Sequence, residues 1–209
     1  RNPAGEKEKL TQKLPSEARE TLGVWQNVMG TEEKQFKVLE EKIETWGDNV
    51  KDSSISRTNA RWAVNTTIGK KVRYPLTATT LNDSQCHKLQ MKLTKACYGK
   101  AGVVRTAPSI LGAAPKHLGA MSLNTGFSDN QFIDHIGILL KHGHEKTTTG
   151  RLIRATAEIL CIEAGIPGDP FSFDMEKITW ITKNTWIQHT IAGLQKHDIQ
   201  IESYIKGID

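Results

Sequence analysis

Apolar residues recur at helical spacing along most of this chain. The firmest case is Phe36, Leu39, Ile43, Trp46 and Val50, which step by three and four and predict one buried stripe over about four turns. Thr31 precedes it as a cap, with Glu32 and Glu33 in the first turn, where the helix dipole favours acids. Its other face, with Glu40, Glu41 and Glu44 beside Lys37 and Lys42, is expected to be solvated. Ser53 to Ser56 break the pattern and cap a second helix over residues 57–72, whose faces contrast poorly around Gly69. Tyr74-Pro75 then biases the backbone away from helix. Asp83 or Ser84 caps a third helix, with Cys86, Leu89, Leu93 and Ala96 or Cys97 inward and Lys88, Lys92 and Lys95 on a largely opposite side.

The remaining pattern is shorter in its periods. Thr21 to Trp25 around Gly23 predict a short strand with a close backbone approach at the glycine, and residues 27–30 a turn. Residues 98–123 are rich in Gly, Ala and Pro and predict irregular structure, with a short helix near 109–113. Ser128 and Gln131 form a capping box for a fourth helix that turns Phe132, Ile136, Leu139 and Leu140 inward. Thr149 caps a fifth, over residues 150–164, which stops at Gly165. Asp174 opens a short helix. A last helix covers about 183–196, with Trp186, Ile187, Thr190, Ile191 and Leu194 on one side. Ile199 and Ile201 suit a short terminal strand. The fold class predicted is mainly α, a helical bundle with a few short strands.

Charge changes this picture. Residues 53–127 hold eleven basic side chains and a single acid, Asp83, a formal +10, while the other 134 residues sum to −5. The whole-chain value of +5 hides a cationic middle between mildly acidic flanks. A concentrated field of that sign favours a polyanionic partner, with a solvated lysine-rich surface that binds nothing in particular as the alternative that charge alone leaves open. No apolar run approaches the roughly 18–20 residues of a membrane span, so no membrane partner is expected. The chain opens on Arg with no leader pattern and reads as a piece of something longer. Cys86, Cys97 and Cys161 are odd in number and widely spaced, which predicts free, mostly buried thiols and an intracellular setting, cytoplasm or nucleus.

Candidate chemistry is sparse. His135, His142 and His144 come with no further ligands at zinc spacing and read as surface or loop histidines. No GxSxG, GxxxxGK[ST] or GxGxxG occurs, and no two aspartates are adjacent. Asp129 reads as part of a helix N-terminus rather than half of a catalytic pair with Asp134. Trp62, among Arg57, Arg61 and Asn65, is expected to pack, with base stacking as the alternative.

Several short motifs occur in a telling order. Ser16-Glu17-Ala18-Arg19-Glu20-Thr21-Leu22-Gly23-Val24, a turn and the Phe36 to Trp46 helix are followed by Arg73-Tyr74-Pro75-Leu76-Thr77-Ala78-Thr79-Thr80-Leu81 and Gly102-Val103-Val104-Arg105-Thr106-Ala107-Pro108. From about Ser16 to Ser203 the chain resembles the region after the catalytic palm in reverse transcriptases of non-LTR-type retroelements. It departs from that pattern at residues 114–121, where the family would carry a more glycine-rich run. The resemblance implies a palm end with a primer-grip strand (1–30), a basic thumb-like helical region (31–127) and a C-terminal helical region (128–209). It implies that Leu22, Gly23 and Val24 of the primer grip, with Arg57, Arg61, Lys70, Lys71, Arg73, Lys88, Lys92, Lys95, Lys100, Arg105 and Lys116, meet an RNA or DNA duplex or hybrid. Such phosphate contacts position strands without reading sequence. No catalytic residue, metal or cofactor is implied within this chain, since two-metal polymerisation belongs to the palm. The rival readings are a stand-alone helical nucleic-acid-binding module, a nuclease using unrecognised carboxylates, and a protein-interaction scaffold.

Overall fold

The computed structural model describes residues 14–104, 106, 126–144, 146–165, 171 and 185–201. Its fold is mainly α-helical with one small antiparallel sheet. Expected helices near residues 109–113 and at Asp174, the loop at 114–121, and the side chains of Arg105 and Lys116 lie outside the described residues.

The strand expected around Gly23 is a hairpin. Arg19–Thr21 (β1) pairs with Val24–Gln26 (β2), and Leu22 and Gly23 form the two-residue loop. Both loop residues have positive φ, 51° and 81°, which matches the twist of flanking strands. Gly23 is there for this left-handed backbone and not for a close approach, since the nearest atom to a Cβ would be Tyr74 Cε1 at 4.0 Å.

Helix α1, Glu33–Asp52, buries Leu39, Ile43 and Val50 as its stripe predicts, and also Gln35 and Gly47. Thr31 is not its cap. Its hydroxyl and amide are tied to Asn27, Glu32 occupies the cap position, and the Glu32 carboxylate accepts from the Thr80 amide and hydroxyl at 3.3 and 3.4 Å. Gly47 lets α1 cross α4 closely, because a Cβ there would stand 2.9 Å from Ala96 Cβ.

The second helix runs further than expected. Arg57–Ala63 (α2), a π turn at Val64–Ile68 and Gly69–Leu76 (α3) form one continuous rod, capped by Ser56, whose side chain accepts from the Asn59 amide. Among its buried residues, Ala60, Val64, Ile68, Val72 and Leu76 form a stripe spaced by four, joined by Gly69 and Pro75. At 3.6 residues per turn that stripe would wander about 40° per step. The π turn, marked by the Gly69 amide bonding back to the Val64 carbonyl, takes back about 100° and keeps the stripe on the core. Pro75 does not end the helix at Tyr74. It sits in the last turn, where its ring removes one bond, to the Lys71 carbonyl, and both Pro75 and Leu76 are buried.

Helix α4, Asp83–Ala101, is capped one residue before the expected position. Asn82 and Gln85 form a reciprocal capping box, and Gly102, at φ 75°, ends the helix. Cys86, Leu89, Leu93 and Cys97 face inward. They pack with Leu39, Ile43, the rod's stripe, Tyr98 and Phe127 in the main core. Each fully buried Leu or Ile contributes roughly 1.5–3 kcal/mol.

Helix α5, Phe127–His142, uses neither Ser128 nor Gln131 as a cap. Ser128 Oγ donates to Asp83. Gln131 is fully buried, donates to the Thr79 carbonyl and accepts from Cys86 Sγ at 3.4 Å. Leu140 points outward at 75% exposure, while His135 is buried in its place. Helix α6, Thr148–Ala164, is capped by Thr147 rather than Thr149 and stops at Gly165, φ 66°. Helix α7, Trp186–Lys196, packs Ile187 and Ile191 against Ala157 and Leu160 of α6. Ile199 to Ile201 form no strand. The Ile199 amide instead folds back onto the Leu194 carbonyl at 2.9 Å.

Candidate functional site

The hairpin is seated on the rod. Tyr74 donates its hydroxyl to the Leu22 carbonyl at 3.1 Å, and Gln26 Nε2 donates to the Ala78 carbonyl at 2.9 Å. The Trp25 amide donates to Gln35 Oε1 at 2.7 Å, which accounts for a buried glutamine that no apolar pattern could flag. Leu22 projects into solvent at 84% exposure, whereas Val24 is buried in the packing. The candidate triplet therefore offers Leu22 and Gly23 at an exposed tip, with Val24 behind it.

The basic side chains divide by partner. Arg73 grips Asp134 of α5 with two bonds, Nη2 to Oδ1 at 2.7 Å and Nε to Oδ2 at 3.1 Å, and that bonding raises its pKa further. Lys92 bridges Glu40, at 2.6 Å, and Glu44 of α1. The lysine face of α4 is thus not free of acids, because α1 brings two carboxylates to it from another part of the chain. Their hydrogen bonds hold the Lys92 ammonium above its usual pKa. Arg61 Nη2 donates to the carbonyl of Ala101 at 3.4 Å, and Lys100 Nζ to that of Ser53 at 2.7 Å. Both cations sit at helix C-termini, where the dipole favours them. Arg57 is exposed, and its side chain lies across Gly102, 3.1–3.2 Å from where a Cβ would stand.

Lys70, Lys71, Lys88 and Lys95 are exposed and have no ion-pair partner among the described residues. The one acid in the basic stretch is itself engaged. Asp83 accepts from Lys196 at 2.8 Å and from Ser128, and those bonds lower its pKa. No acidic residue at all occurs between Ser53 and Asn82.

Where α5 meets α7, His135 lies 5.2 Å from the His189 ring and 4.8 Å from that of Trp186. Burial lowers the His135 pKa to about 4, with the neighbouring His189 adding to the effect, and burial lowers His189 too. His135 is therefore a core histidine, not a surface one. Among the described residues no group of three or more His, Cys, Asp or Glu could hold a metal ion, and no helix is long and apolar enough to cross a membrane. Cys86, Cys97 and Cys161 form no disulfide, and the first two are buried with pKa pushed up to about 12 and about 11 by desolvation. Comparison with known proteins gives no match to any family model, curated protein or solved structure.

Proposed function

We propose that this chain is a nucleic-acid-gripping, thumb-like region of a retroelement reverse transcriptase, holding an RNA or DNA duplex or hybrid through its phosphates. The observation that carries this reading is the set Lys70, Lys71, Lys88 and Lys95, exposed and without carboxylate partners among the described residues, in the most basic stretch of the chain. Cations kept free of acids are what counterion release requires. The ordered motifs from Ser16 to Pro108 supply the link to the family, and polymerisation belongs to a palm outside this chain.

Lysine acetylation read by mass spectrometry, with and without a short duplex, tests it. Lys70, Lys71, Lys88 and Lys95 should be protected by the duplex. Equal modification in both samples would overturn the reading. A protein-interaction scaffold is the second reading. Leu152, Ile159 and Ile162 favour it, lying on one side of α6 and exposed at 64%, 55% and 78%. Concentration-dependent self-association by analytical ultracentrifugation, with no nucleic-acid binding, would support it.

A further inference from the structure

The rod from Arg57 to Leu76 has a second stripe. Two residues along a helix turn about 200°, so the positions two after each buried one point the opposite way. Trp62, Thr66, Lys70 and Tyr74 occupy them, and all four are exposed. Trp62 is 67% and Tyr74 58% exposed. Among the described tryptophans, Trp25, Trp46 and Trp186 are partly buried and Trp62 alone is exposed. A ring of that size left uncovered offers a partner a large flat apolar face. The packing expected of Trp62 is therefore not what the fold does with it.

We propose that this outward face is a stacking surface for an unpaired nucleic-acid strand, with bases on Trp62 and Tyr74 and phosphates on Lys70 and Lys71. The inference rests on the nucleic-acid reading above and adds to it an unpaired strand at this face. In a duplex the base faces are covered by one another, whereas an unpaired strand presents them to any exposed ring. The charge fits a polyanion, since the rod carries Lys70 and Lys71 between the two rings and no acid anywhere along its length. Tyr74 is held in place by the hairpin tip, its hydroxyl on the Leu22 carbonyl and its ring edge 4.0 Å from the position of a Cβ on Gly23. An aromatic group fixed before binding loses little freedom on binding. From Trp62 to Tyr74 the rod rises about 18 Å, a span of several nucleotides.

The test uses the full chain and two fluorescent probes, a 12-nucleotide oligo-dT and a 12-base-pair duplex, read by anisotropy. Trp62→Ala should weaken oligo-dT binding roughly five- to hundredfold and leave duplex binding within about twofold. Tyr74→Ala should act likewise, while Trp62→Phe and Tyr74→Phe, which keep a ring, should retain most of the affinity. Saturating oligo-dT should also quench wild-type tryptophan emission, and the quench should shrink in Trp62→Phe. That last arm needs no variant lacking a ring, so a folding defect in Trp62→Ala cannot mask the answer. Oligo-dT binding with no quenching, or with no loss in Trp62→Ala and Tyr74→Ala, overturns the stacking face alone if duplex is still bound. Oligo-dT binding that depends on Trp62 without any duplex binding supports the stacking face and overturns the duplex grip. Polyglutamate bound as tightly as oligo-dT, with equal dependence on Trp62, overturns the stacking face in favour of an acidic protein partner. Failure to bind either nucleic-acid probe at low salt overturns both readings.

Discussion

Lys88, Lys92 and Lys95 occupy one stretch of α4 and look equivalent, yet the structure separates them. Lys92 holds Glu40 and Glu44, with side-chain exposures of 38%, 27% and 56%. Pairs this exposed are screened, so Lys92→Gln should lose only about 0.5–2 kcal/mol of stability. Part of that is repulsion between Glu40 and Glu44, left one turn apart on α1 without their shared cation. Its effect on duplex affinity should be small, because its charge is already neutralised. The double variant Lys88→Gln/Lys95→Gln should do the reverse. Each surface change should stay within about 0.5 kcal/mol. The slope of log K against log salt should become shallower by about 1.8, from about 0.9 per phosphate contact. Urea denaturation supplies the stabilities and anisotropy titration across a salt series supplies the slopes. The reasoning is refuted if Lys92→Gln flattens the slope as much as the double variant does while leaving the urea midpoint unchanged.

Stability should fall as the pH drops from about 6.5 toward 4. His135 is held near 4 in the folded state against about 6.5 unfolded, so the unfolded chain binds the extra proton in that window, at a cost of roughly 3 kcal/mol. Denaturation at pH 7 and pH 4.5 measures it, and a pH slope unchanged in His135→Gln would contradict the assignment. Gln131→Leu should cost about 1–3 kcal/mol by removing a buried donor from the Thr79 carbonyl, against about 2–5 for Leu89→Ala, both read from urea midpoints. A neutral Gln131→Leu would remove that network from the account. The isolated chain should incorporate no nucleotide with any template, primer or metal, since it lacks paired aspartates. Incorporation that tracks with the chain through repurification would contradict this.

Local pattern was a good guide wherever one helix face meets one core. The stripes of α1, α4 and α7 and the stop at Gly165 follow from spacing and from glycine's tolerance of positive φ. It failed where a polar side chain had a distant partner. Ser128 and Gln131 have the spacing of a capping box, but Asp83 and Thr79 lie within reach and claim them. Lys92 is neutralised by residues 48 and 52 positions away in sequence, which no inspection of its own helix could reveal. The rod's faces looked poorly contrasted because a strict four-residue repeat does not match 3.6 residues per turn. Once the π turn is allowed for, the same residues separate cleanly into Ala60 to Leu76 inside and Trp62 to Tyr74 outside.

The salt dependence of duplex binding by the wild-type chain tests the central proposal most directly. If four of the exposed cations touch phosphate, log K against log salt should fall with a slope near −3.6. A slope near zero, or no binding at low salt, would contradict a phosphate grip.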